Sequence, residues 1–181
     1  MNIKKESKDD NSSNAPNIHH ALDFLSQIFH TSLKFYFQSG KLPESVELPK
    51  LAYYDDDSAF GDFIRQKMPT YDEYIILLLA LAPHVRPNFL DRVIEENLTD
   101  SSDYPEIGGT RDGDSRALLP TAETALFLLS GADLTRRFEV QRILTADHWF
   151  VKEGILSVEP AQEGQPYWSG RLLLNPEYIE L

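Results

Sequence analysis

Residues Leu119–Leu174 read LPTAETALFLLSGADLTRRFEVQRILTADHWFVKEGILSVEPAQEGQPYWSGRLLL. Pro120 and Thr121 open a helix with Thr121 as its N-cap, because a Thr hydroxyl accepts a hydrogen bond from the free N–H groups of a first turn, and Leu126, Phe127 and Leu129 are its buried positions. Ser130–Asp133 (SGAD) turns the chain, with Gly131 supplying a positive φ and Asp133 capping a second helix that runs to about Ala146. Ile155–Val158 and Arg171–Leu174 are then short strands around the Pro- and Gly-rich loop EPAQEGQPYWSG. Two short helices, a tight turn and a hairpin form the layout of a winged helix. The expected fold is therefore mainly α (α+β): a winged-helix domain with a small β-hairpin wing and an N-terminal helical extension.

Such a unit ordinarily reads DNA, and the charge of this chain opposes that use. Asp and Glu number 29 against 17 Lys and Arg, a formal net charge of -12. The phosphate backbone supplies most non-specific DNA affinity, and an acidic surface repels it. Even between Leu119 and Val158 there are four Lys or Arg (Arg136, Arg137, Arg142, Lys152) and five Asp or Glu. Groove binding calls for a clustered positive footprint, so nucleic acid is disfavoured as a partner and the arginines are expected to pair with Asp133, Glu139 or Asp147.

At 100° per residue, Leu134 and Phe138 fall on one side of the second helix and Val140 and Ile143 close to the opposite side. A helix with two apolar faces can pack on its own domain with one and meet the wing or a partner with the other. Tyr167 and Trp168 lie at the expected wing tip, where they either serve as interface residues or fold back onto the helices; large aromatics bury much area for little lost rotamer entropy. Arg136, Val140, Ile143, Tyr167 and Trp168 are the candidate partner-binding residues, whereas Trp149 and Phe150 are expected in the core.

Upstream, Leu22, Leu25, Ile28, Phe29 and Leu33 recur at spacings of three and four, which predicts an amphipathic helix over Ile18–Phe37. The polar stretch 1–17 is expected as a disordered leader, 18–68 as the helical extension and 69–181 as the winged-helix domain. A short helix is expected around Phe60–Gln66. Thr70 to Glu73 match a capping box, and IILLLALA (75–82) makes a helix that is apolar on nearly all sides and so needs neighbours on more than one face. Pro83 and Pro87 are expected to interrupt it before a helix carrying Leu90, Val93, Ile94 and Leu98. The segment Thr99–Arg116 is expected as an exposed loop.

The remaining signals bound the chemistry. The chain has no Cys, hence no disulfide framework and no thiolate zinc site, and its N-terminus lacks the apolar run of a signal peptide; a cytoplasmic location is the default. The most apolar segment is far shorter than the roughly 20 residues of a membrane span, so no membrane partner is expected. Asp55–Asp57 lack the spacing of a calcium loop, and the five His form no H-E-x-x-H pattern. Neither a Cys nor a G-x-S-x-G elbow is present, and the adjacent Glu95 and Glu96 point in different directions on a helix, so no active site is read.

Read as an ordered series, PEIGGTRDGDSRALLPTAETALFLLSGADLTRRFEVQRIL, DHWFVKEGILSVEP and GQPYWSGRLLLNPEYIEL resemble the N-terminal region of a family of bacterial AAA+ ATPases. That family is best represented in Bacteroidetes and includes the ATPase encoded with contractile injection systems of the antifeeding-prophage kind. The resemblance spans roughly Met68–Leu181 and implies a variant winged-helix domain placed before an ATPase module. This chain has no G-x-x-x-x-G-K-[ST], and Gly108-Gly109-Thr110-Arg111 is too short and lacks the Lys, so the family's ATPase residues match no position here. The chain is accordingly expected to be cut from a longer protein. On this reading it binds no cofactor itself, ATP and Mg belong to the downstream module, its partners are proteins or substrate of that motor, and the parent protein forms a ring oligomer. The alternative is a winged-helix DNA-binding regulator.

Overall fold

The computed structural model describes residues 11–39, 49–51, 53–98, 104–111 and 116–179. Seven α-helices are found among them: α1 (Asn11–Lys34), α2 (Ala59–Lys67), α3 (Tyr71–Val85), α4 (Phe89–Asn97), α5 (Ala122–Ser130), α6 (Leu134–Gln141) and α7 (Trp149–Lys152). A two-stranded antiparallel sheet follows, β1 (Leu156–Val158) and β2 (Leu172–Leu174), in the register Leu156↔Leu174, Ser157↔Leu173 and Val158↔Leu172. The fold is mainly helical with a hairpin wing, as the sequence predicts.

A third short edge completes the wing. Thr121 bridges Arg171 antiparallel, the Leu172 N–H donates to the Pro120 carbonyl at 3.1 Å, and the Ala122 N–H donates to the Gly170 carbonyl at 2.9 Å. The residues leading into α5 thus flank β2 on the side away from β1. Gly170 permits the crossing, because a Cβ there would stand 1.7 Å from the Glu159 carbonyl oxygen. Gly131 takes φ 51 at the α5–α6 turn, and the Asp133 side chain accepts from the Arg136 N–H, the turn and cap expected of SGAD.

α3 is the central rod. Every residue from Tyr74 to Ala82 is buried, and the helix packs on α1, α4, α5 and β2, the neighbours its all-round apolar surface requires. Its start is fixed locally: the Glu73 carboxylate accepts from the Thr70 N–H at 2.7 Å while the Thr70 hydroxyl accepts from the Glu73 N–H. Pro83 does not interrupt it. The helix runs on to Val85, since a proline in the last turn removes only one ladder bond.

Three expectations change. α1 begins at Asn11, inside the segment expected as a leader, because its polar residues make tertiary bonds: Asn14 Oδ1 accepts from the Phe60 N–H at 2.9 Å, and Asn17 both donates to the Tyr54 carbonyl at 2.9 Å and accepts from the Tyr54 N–H at 2.7 Å. Residues 1–10 lie outside the described residues, as do 40–48. The expected exposed loop Thr99–Arg116 contains a short 3-10 turn, Pro105–Ile107, that buries Ile107, and Thr110 pairs with Leu119; 99–103 and 112–115 are outside the described residues. Finally, α6 ends at Gln141 and tightens into a 3-10 turn, Arg142–Leu144, rather than continuing to Ala146. One hydrophobic cluster runs from Ala21 to Leu174, so the N-terminal helix and the winged-helix unit share a core.

Candidate functional site

α6 is the second helix of the α5–α6 pair, and its two apolar faces resolve unequally. Val140 is 0% exposed and belongs to the core, which removes it from the candidate contact residues; Ile143 is half-buried against the same core. The opposite face is open: Leu134 is 68% and Phe138 64% exposed. These two residues, one helical turn apart, are not among the candidate residues read from sequence: periodicity puts them on a common face, and the seating of Val140 in the core turns that face outward.

The cations of α6 are directed inward or along the helix. Arg136 donates to Asp72 at 2.5 Å and to Glu139 at 3.2 Å, and Arg137 holds Glu123 with two bonds of 2.8 and 2.6 Å. Burial alone would lower the Arg136 pKa, but the bonds to Asp72 and Glu139 outweigh it and hold the value above normal; for Arg137 the Glu123 bond dominates. Of the partners expected from sequence, Glu139 is engaged, whereas Asp133 accepts from the backbone as a cap. Asp72 and Glu123, distant in sequence, are the ones that local reading misses. The exposed α6 surface therefore offers Leu134, Thr135, Phe138 and Glu139.

At the wing the aromatic pair divides. Trp168 is half-buried against the core and Tyr167 is 77% exposed, their rings nearly perpendicular at 88° with centroids 4.8 Å apart. They line a groove of about 570 Å3 together with Leu144–Ala146, the segment after α6, and Val151.

Behind this surface lies a buried polar hub whose members no local sequence motif connects. Glu73 is 9% exposed, and its Oε1 accepts from His148 Nε2 and from the Trp149 indole N–H, each at 2.8 Å. Because His148 Nδ1 accepts from the Phe150 N–H, its proton sits on Nε2, facing the carboxylate. Burial would raise the Glu73 pKa, yet the bonds from Thr70, Trp149 and His148 win and hold it below the usual carboxylate range. The arrangement is a structural tie between α3 and α7, and Phe150 is fully buried as expected of a core residue.

Other acidic features are likewise engaged. Asp56 accepts from Ser58 and Asn17 and has a lowered pKa, with the Ser58 hydroxyl as the main cause, while Asp55 pairs with Arg65 at 2.5 Å. Among the described residues no group of three or more His, Asp or Glu is placed to hold a metal. A recess of about 740 Å3 between α4, the 104–111 segment and the start of α5 is faced by Asp91 and Glu123, which pair with Arg111 and Arg137. No helix among the described residues is long and apolar enough to cross a membrane. Comparisons with protein-family models, with curated proteins and with solved structures find no match to this chain.

Proposed function

We propose that this chain is a non-catalytic recognition or assembly domain that precedes an AAA+ ATPase module and presents a protein partner or substrate to that motor through the outer face of α6. The observation that carries the reading is the character of that face. Where a DNA-reading helix displays cations, α6 displays Leu134 and Phe138, and Arg136 and Arg137 are bound to carboxylates of the same chain. Apolar area removed from water contributes about 25 cal/mol per Å2, which makes two large exposed side chains a productive contact for protein and an unproductive one for a phosphate backbone. The motor assignment is supported by the block resemblance of Met68–Leu181, and places ATP and Mg in the downstream module.

Two measurements test it. The reading frame beyond Leu181 is expected to encode a G-x-x-x-x-G-K-[ST] loop, and a frame without one overturns the motor assignment. Titration of the purified chain into labelled duplex DNA at physiological ionic strength is expected to show no saturable binding. A salt-dependent, saturable shift overturns the protein-contact reading in favour of a DNA-binding regulator.

A further inference from the structure

The wing leaves one sheet edge bare, at a place separate from the outer face of α6 and independent of the motor assignment. The Asn175 N–H donates to the Ile155 carbonyl at 2.9 Å and the Glu159 N–H to the Arg171 carbonyl at 2.8 Å, so the pairing on either side of the hairpin is bonded at these positions. Antiparallel pairs alternate, which makes Ser157↔Leu173, midway between them, the next bonded pair and turns the N–H and C=O groups of Leu156 and Val158 away from β2. Among the described residues nothing bonds to either residue on that outer side. The bridge from Thr121 to Arg171 covers the far side of β2, so β1 is the open edge.

The groove of about 570 Å3 lies against this edge: Ser157 and Val158 of β1 line it, and no residue of β2 does. Val151, Tyr167 and Trp168 give it apolar surface beside the bare peptide groups. Donors and acceptors together, at the ladder spacing, select an extended guest. A helix satisfies its own N–H and C=O groups, and a proline has no N–H to offer the Val158 carbonyl. An exposed sheet edge takes an extended peptide as an added strand, main-chain bonds supplying the affinity. Charge narrows the guest further. No Lys or Arg lines the groove, its one ionised lining residue, Glu159, is held by Arg171, and the chain carries -12, so the field favours a cationic strand and opposes a second copy.

We infer that the outer edge of β1 is a docking site for an extended, cationic segment of a partner protein, which adds as a strand beside β1 and lays its apolar side chains in the groove. The probe is a fluorescein-labelled hexapeptide of alternating Val and Lys, titrated against the whole chain and followed by anisotropy. One control is the same peptide N-methylated at every residue, which keeps side chains and charge but has no N–H to donate; the other carries Glu in place of Lys. Saturable binding of the first peptide is expected, weakened about tenfold or more in either control. In the 15N-labelled chain this binding should slow hydrogen exchange at the Leu156 and Val158 amides and leave that of Ser157, already turned toward β2, little changed. Val158→Pro removes an outward N–H at a position where an edge strand accommodates proline, and should weaken binding by a similar factor. If that variant misfolds, the N-methylated control and the exchange pattern decide, since both use the parent chain. Equal binding of the N-methylated peptide, preference for the Glu peptide, or unchanged exchange at Val158 overturns the inference. So does concentration-dependent dimerisation in sedimentation that Val158→Pro abolishes, which gives the edge to a second copy.

Discussion

Replacing Glu73 tests the structural tie behind the α6 surface. Its carboxylate receives three donors, the Thr70 N–H at 2.7 Å and the His148 and Trp149 ring N–H groups at 2.8 Å. Glu73→Ala strands all three at a site only 9% open to water and removes half of a capping box. A hydrogen bond to a charged group contributes about 1.5–3 kcal/mol and each stranded buried donor costs about 1–3, and because these terms overlap the expected loss is about 3–5 kcal/mol. Glu73→Gln keeps one acceptor oxygen and turns an amide N–H2 toward a donor, so it retains two of the three bonds at most and should cost about 1–2 kcal/mol. Urea unfolding at pH 7 measures both, and the larger loss corresponds to a melting temperature lower by about 6–20 °C for a domain of this size. If Glu73→Ala falls within about 0.5 kcal/mol of the parent, as exposed substitutions do, the hub is not holding α7 to α3.

Four further outcomes follow from named contacts. The folded Glu73 pKa lies below its ordinary 4.5, so its contribution is fully present above that value and is lost as pH falls through the folded pKa; an acid-unfolding series should be flatter below about pH 4.5 in Glu73→Gln than in the parent. Leu134→Ser and Phe138→Ser, at exposed positions, should change stability by less than about 0.5 kcal/mol in urea while abolishing association with whatever partner the domain binds; a loss of folding would place these side chains in the core. A double-mutant cycle on Arg137→Met and Glu123→Gln, each about three-quarters buried, should give a coupling of about 1 kcal/mol that declines with added salt. Gly170→Ala should cost about 3 kcal/mol by thermal melting, since its methyl meets the Glu159 carbonyl at 1.7 Å and the strand crossing must part to admit it.

What the sequence made legible was local. The Thr70–Glu73 box and the Gly131–Asp133 turn act within four residues, so their geometry is written in adjacent letters, and the two strands are found within one residue of their expected limits, whereas the Thr121 hydroxyl accepts from the Gly109 N–H, twelve positions upstream. The polar residues of α1 misled because their partners lie 37 to 46 positions downstream, and an Asn that serves as a tertiary bond looks, in sequence, like an Asn in a disordered tail. His148 and Trp149 find Glu73 across 75 and 76 positions, a separation at which no spacing rule operates. The candidate contact residues divide by burial for the same reason. Tyr167 is open, but Val140 could be assigned to core or contact only once the domain beneath α6 was in place.

The first turn of α3 and the residues around it explain how a winged-helix layout sits in so acidic a chain. Asp72 holds Arg136 at the start of α6, Glu73 holds His148 and Trp149 at the start of α7, and Lys67, just before that turn, pairs with Glu153 at the end of α7. Two carboxylates at a helix N-terminus are themselves favoured by its partial positive charge. They fix the α6–α7 segment at both ends, and in doing so they draw the Arg136 cation out of the reading face. The contacts that tie α6 to its neighbours are therefore among those that engage its cations, leaving Leu134, Thr135, Phe138 and Glu139 as its outward chemistry.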